Sequence, residues 1–159
     1  MDDFYLKVVN LFNEKKVRYL VIGGFAVNFY GYNRSTGDLD LWISKEGANL
    51  IKLKEAVSNL GFDFSEEAID QIGKDKIVSF SEGDMVVELL SRINISQETS
   101  FDEAFERSES RILNDVLFNI ISIEDLKKEK AKSKRYKDLD DLSKLEEAEA
   151  YYIKKSKEE

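Results

Sequence analysis

The chain has 159 residues, 42% of them apolar and 11% aromatic, with 24 Lys and Arg against 32 Asp and Glu for a net charge of −8. That is enough apolar material for one packed domain, while the lack of cysteine and histidine removes disulfides, zinc fingers, thiol nucleophiles, Ser-His-Asp triads and imidazole-ligated metals. Chemistry is left to carboxylates, lysines, arginines, hydroxyls and backbone amides, a set suited to oxygen-liganded cations such as Mg²⁺ or Mn²⁺.

Phe4, Val8, Leu11 and Phe12 recur at helical spacing behind Asp2 and Asp3, which predicts a helix over about residues 2–16. Residues 18–22 are β-rich and stop at Gly23-Gly24. A short helix over 25–30, a loop over 32–37 and a strand over 38–43 follow. Leu50, Leu53, Val57 and Leu60 mark a helix closed by Gly61, and Ser65–Ile72 reads as a helical turn. Ile77–Phe80 and Met85–Leu90 pair as a hairpin, as do Arg111–Leu113 and Val116–Ile120 through Asn114-Asp115. Ser122 opens a helix running to about Arg135, and Leu139, Leu142 and Leu145 give a last helix its apolar stripe, with a polar end that frays. The chain lacks proline, so its reversals rest on Gly, Asn, Asp and Ser. The expected fold class is mixed α/β (α+β) in a single domain over residues 1–159, with C-terminal helices over about 122–157.

The acid excess repels extended nucleic acid. No apolar run approaches the roughly 20 residues needed to cross a bilayer, and Met1-Asp2-Asp3 is acidic where a signal peptide is basic, so the sequence predicts a cytoplasmic protein with no membrane partner.

Asp38 and Asp40 stand two apart on a predicted strand, so their side chains leave one face about 6.5–7 Å apart. Like charges at that range suit a divalent cation between them. Gly23 and Gly24 let the backbone approach a ligand, and the free amides of the helix that follows suit an anion. Arg34, Ser35 and Thr36 add a cation and two hydroxyls. Glu88 is the one acid inside an apolar predicted strand, where an unpartnered charge is costly. Tyr30, Tyr32 and Trp42 are placed either to stack a base or to pack in the core.

Taken together, Val21-Ile22-Gly23-Gly24-Phe25-Ala26-Val27, Gly31, Arg34-Ser35-Thr36 and Asp38-Leu39-Asp40-Leu41 resemble the DNA polymerase beta and kanamycin nucleotidyltransferase superfamily, and most closely its small bacterial members. The resemblance implies a short mixed β-sheet flanked by helices. It also implies Mg²⁺-dependent transfer of a nucleoside monophosphate from an NTP such as ATP to an acceptor hydroxyl. Asp38, Asp40 and Glu88 would be the catalytic and metal-binding acids, with Gly23, Gly24, Arg34, Ser35 and Thr36 at the nucleotide. Ile121–Leu126, Lys130, Arg135-Tyr136-Lys137-Asp138 and Asp141-Leu142 resemble the segment that closes such sites, which adds Lys130 and Arg135 as phosphate-binding cations. Glu88 stands where Asp is commoner. The short chain leaves the acceptor, a small molecule or a protein, to a dimer interface or another chain. The alternative is a nucleotidyltransferase-fold component of a toxin–antitoxin module that binds or modifies its partner.

Overall fold

We describe residues 1–31 and 36–158 of a computed structural model of the protein. In chain order the elements are α1 (Asp3–Glu14), β1 (Tyr19–Ile22), α2 (Gly23–Phe29), β2 (Leu39–Ile43), α3 (Gly47–Asn59), α4 (Glu66–Gly73), β3 (Val78–Glu82) and β4 (Met85–Leu90). A 3-10 turn (Asn94–Gln97) then leads to α5 (Phe101–Glu106), β5 (Glu109–Leu113), β6 (Val116–Ile120), α6 (Ile123–Ala131) and α7 (Tyr136–Glu158). Among the described residues the six strands form one mixed sheet in the order β3-β4-β2-β1-β6-β5. β1 runs antiparallel to β2 and parallel to β6, β2 runs parallel to β4, and the hairpins β3/β4 and β5/β6 form the two edges.

Local chemistry explains most of these elements. The Asp2 carboxylate accepts from the Phe4 amide at 2.8 Å and starts α1, whose Phe4, Tyr5, Val8, Val9 and Phe12 are buried. β1 is buried at all four positions, as a central strand flanked by other strands requires. Asn114 and Asp115 both take positive φ, 49° and 65°, the backbone that a two-residue hairpin needs to match strand twist. α1 packs on β4, β6 and α3, whereas α2 packs on β1 and β2 and α6 packs on α2 and α7.

The C-terminal third differs from its sequence reading in three respects. The helix opened by Ser122 stops at Ala131 rather than near Arg135, and Ser133 and Arg135 in the connection both bond to Asp138. The buried face of α7 is Asp138, Asp141 and Leu145, while Leu139 is outside at 44% exposure. Its polar end remains helical through Glu158. The 3-10 turn and α5 lie in a stretch where no regular element was predicted. Ser100 and Glu103 hold α5 by reciprocal bonds, since Ser100 Oγ accepts from the Glu103 amide at 3.1 Å and Glu103 Oε1 accepts from the Ser100 amide at 3.2 Å. That Ser-x-x-Glu spacing is a legible helix start.

Candidate active site

The parallel register of β2 and β4 sets Asp40 directly opposite Glu88, and the antiparallel register of β1 and β2 sets Ile22 opposite Asp40. Gly23, next after Ile22, therefore lies against the acid. Its φ is +66°, and a Cβ built there would strike Asp40 Oδ2, so backbone conformation and contact both demand glycine. Asp38 precedes β2 rather than lying in it, since the strand begins at Leu39, and it is exposed while Asp40 is half-buried. Tyr5 steadies this approach to the strand. Its hydroxyl donates to the Gly37 carbonyl at 2.6 Å and accepts from the Val86 amide at 3.1 Å, tying the residue before Asp38 to β4. Nothing in the sequence separates Tyr5 from the other core positions of α1.

Asp40 is the most perturbed acid of this group. Burial, the hydrogen-bonding contact with the Glu88 carboxyl and the charges of Glu88 and Asp38 push its pKa up to about 7, with Lys130 opposing. A hydrogen bond between two carboxyl groups needs a proton on one of them. The Asp40 Oδ1 atom is buried with no hydrogen-bond partner among the described residues. Such an arrangement lacks a positive charge at its centre.

Two cations of the cavity, Lys130 and Arg135, are engaged with other acids. Lys130, 5% exposed, lies 2.8 Å from Asp138 Oδ1 and 2.9 Å from Asp141 Oδ2. Arg135 donates from Nε to Asp138 Oδ2 at 2.7 Å and from Nη2 to Oδ1 at 3.2 Å, and Ser133 Oγ donates to Oδ2 at 2.6 Å. Burial raises the Asp138 pKa, but hydrogen bonds from Arg135, Lys130 and Ser133 outweigh it and hold the group well below the ordinary carboxylate range.

Asp38, Asp40, Glu88, Gly23, Gly24, Thr36, Lys130 and Arg135 line one cavity of about 310 Å³, together with Gly37 and Lys137. A second cavity of about 310 Å³ shares Gly23, Asp40, Glu88, Lys130 and Arg135 and adds Arg92, Asn94 and Ile77. Arg34, Ser35 and Tyr32 lie outside the described residues. Tyr30 is buried with its hydroxyl on the Ile121 carbonyl at 2.6 Å, and Trp42 is 1% exposed with Nε1 donating to the Ser91 carbonyl at 3.2 Å. Both are packing residues here. The sequence places Lys137 only within the segment that closes the site, and nothing in the spacing of Arg92, Asn94 or Ser133 marks them.

The acid set fits a hard divalent cation. Its donors are all oxygen, one buried carboxylate oxygen has no protein partner, and two carboxyl groups crowd each other. Among the described residues no three acidic side chains are gathered closely enough to hold a metal alone. Mg²⁺ is ordinarily bound through one or two carboxylates plus substrate phosphates, and that division of labour matches this cavity.

Fold and acid placement together define a nucleotidyltransferase-type architecture, and comparison with known proteins agrees. The family described as "Nucleotidyl transferase of unknown function (DUF2204)" matches residues 2–158, so the chain belongs to this nucleotidyltransferase family. No curated protein matches the chain. Among solved structures, the antibiotic-resistance factor ANT(2'')-Ia aligns over 98% of this chain and 95% of its own with a TM-score of 0.56 at 14% identity. The lincosamide antibiotic adenylyltransferase LnuA, solved with lincomycin bound, aligns over 92% and 96% with a TM-score of 0.52 at 13% identity. An antigenic nucleotidyltransferase-like protein from Paracoccidioides brasiliensis aligns over 98% and 90% with a TM-score of 0.50 at 16% identity. These three share the fold of this chain.

Proposed function

We propose that the protein transfers a nucleoside monophosphate from an NTP to an acceptor hydroxyl in an Mg²⁺- or Mn²⁺-dependent reaction, with Asp38, Asp40 and Glu88 as the acids that carry it. The observation behind this reading is the Asp40–Glu88 juxtaposition beside Gly23, where two acids approach each other with no cation committed to them. Asp38, Asp40 and Glu88 would hold the metal, which supplies charge neutralisation on the phosphate oxygens. Glu88 takes the proton of the acceptor hydroxyl. The acceptor oxygen then bonds to the α-phosphorus as the bond from that phosphorus to the β-phosphate bridging oxygen breaks, and pyrophosphate leaves with the bond's electron pair. Backbone amides of Gly23 and Gly24, with Thr36, Arg34 and Ser35, orient the phosphates, and Lys130 and Arg135 supply positive potential for the leaving pyrophosphate. Such transfer depends mainly on positioning and electrostatics.

The test is incubation with Mg²⁺ and each of ATP, GTP, CTP and UTP labelled at the α-phosphate, with cell lysate as acceptor source. ATP is the first donor to try, since LnuA is by name an adenylyltransferase. Label on a small molecule is the expected result, and label on a protein would instead support the toxin–antitoxin type of partner. No transfer and no metal-dependent NTP binding would overturn the proposal.

A further inference from the structure

We propose that a separate cavity at the carboxy-terminal ends of β2 and β4 binds a neutral polyhydroxylated compound, a sugar or polyol. Trp42 lies opposite Leu90, so the chain leaves the two parallel strands side by side, with Ser44 and Lys45 following one and Ser91 and Arg92 following the other. The segment entering α5, Thr99 and Ser100, lines the cavity with them. The space is about 270 Å³ and shares only Arg92 with the cavities at the acid pair.

The lining is rich in hydroxyls with unused hydrogen-bonding capacity. Ser44 is 3% exposed and Thr99 8%, and neither side-chain hydroxyl has a hydrogen-bond partner among the described residues. The two hydroxyls are accessible and unpartnered on residues that line the cavity, so both are available to bond a ligand there. Ser96 Oγ accepts from the Ile93 amide at 2.8 Å and Ser100 Oγ from the Glu103 amide at 3.1 Å, which leaves each with its own O–H to donate. Hydroxyls on a ligand both donate and accept and match this mixture.

The charges at the cavity balance, Glu46, Asp75 and Asp102 against Arg18, Lys45 and Arg92, which favours a neutral ligand. Lys45 is neutralised by Asp75 at 2.9 Å, and the lining acids Glu46 and Asp102 are held by Arg18 at 3.8 and 2.7 Å. Arg92 makes no hydrogen bond or ion pair among the described residues and offers its N–H groups to ligand oxygens. Phe101, edge to face with the buried Trp42 at 5.4 Å, gives the cavity an apolar side for the C–H face of a sugar ring.

The test is an amide-resolved NMR titration of the whole protein with myo-inositol and methyl α-D-glucopyranoside, with inorganic phosphate as the anionic comparison. Saturable shifts are expected at Ser44, Lys45, Thr99 and Ser100 with a polyol and not with phosphate. Thr99→Val and Ser44→Ala should each weaken binding tenfold or more, while Thr99→Ser should retain it. Asp40→Asn, which would remove the proposed nucleotide chemistry, should leave this titration unchanged, so the two proposals fail separately. No saturable shift up to about 100 mM of either polyol, saturation by phosphate at the same amides, or wild-type affinity in Thr99→Val and Ser44→Ala would overturn the assignment.

Discussion

Two pairs of acids lie on neighbouring walls of the same cleft, and they differ in what neutralises them. Asp138 and Asp141 are almost fully buried and share Lys130, while Arg135 and Ser133 complete Asp138. Asp40 and Glu88 sit opposite each other on parallel strands and crowd Asp38, and among the described residues no cation is bonded to them. Asp138 is accordingly held below the ordinary carboxylate range and Asp40 is pushed up to about 7. The first pair has its counter-charges within the chain and fixes Lys130 and Arg135 on the wall of the cleft. The second pair has no counter-charge bonded to it among the described residues, which is the physical basis for proposing it as the reaction centre.

Breaking the second pair should affect function most. Asp40→Asn or Glu88→Gln is expected to lower nucleotidyl transfer about 10³-fold or more, roughly 4 kcal/mol of transition-state stabilisation, with circular dichroism unchanged. Breaking the first pair should affect folding as well as the potential at the leaving pyrophosphate. Lys130→Met leaves two carboxylates buried without their lysine and should cost about 3–5 kcal/mol, read from urea unfolding. A smaller effect is expected at the contact between glycine turn and acid, where Gly23→Ala should cost about 1–2 kcal/mol for the left-handed backbone alone. It should also displace Asp40 and lower activity by more than the stability loss explains.

The smallest effect is a pH dependence of opposite sign for the two pairs. Asp40 in the folded state titrates near 7, above its ordinary 3.8, so between these values the folded protein holds a proton that the unfolded chain has released. Without added metal, that group's contribution makes stability fall as pH rises through the window. Asp138 has a depressed pKa, so its contribution is fully present above the ordinary carboxylate range and is lost only in strong acid. Urea midpoints at pH 5 and pH 8 should therefore converge in Asp40→Asn relative to wild type, whereas Asp138→Asn should lose stability at both.

The acids and glycines proposed for the site were legible from local spacing together with the family resemblance. Asp38 and Asp40 stand two apart, Gly23-Gly24 ends a β-rich run, and Glu88 interrupts an apolar one. Sheet pairing then sets Glu88 beside Asp40, as strand context suggested. The C-terminal wall was harder to read. A leucine stripe suggested that Leu139 faces inward, yet α7 buries Asp138 and Asp141 instead, because a lysine on α6 supplies their counter-charge. That exchange depends on a tertiary ion pair, which helical periodicity cannot report. Arg107 and Asp125 show the same limit. Their bidentate bond, at 3.2 and 3.1 Å, ties the unanticipated α5 to the Ser122-capped start of α6. Tyr5 is a further case, since its role depends on a hydroxyl reaching Gly37 and Val86 across the fold.

The most direct test of the difference between the two acid pairs is calorimetric titration of Mn²⁺ with a non-hydrolysable ATP analogue into the wild type, Asp40→Asn and Asp141→Asn, each shown to be folded. The account predicts metal-dependent nucleotide binding in the wild type, its loss in Asp40→Asn, and its retention within a few-fold in folded Asp141→Asn. Equal affinity in wild type and Asp40→Asn, with and without the metal, would contradict it.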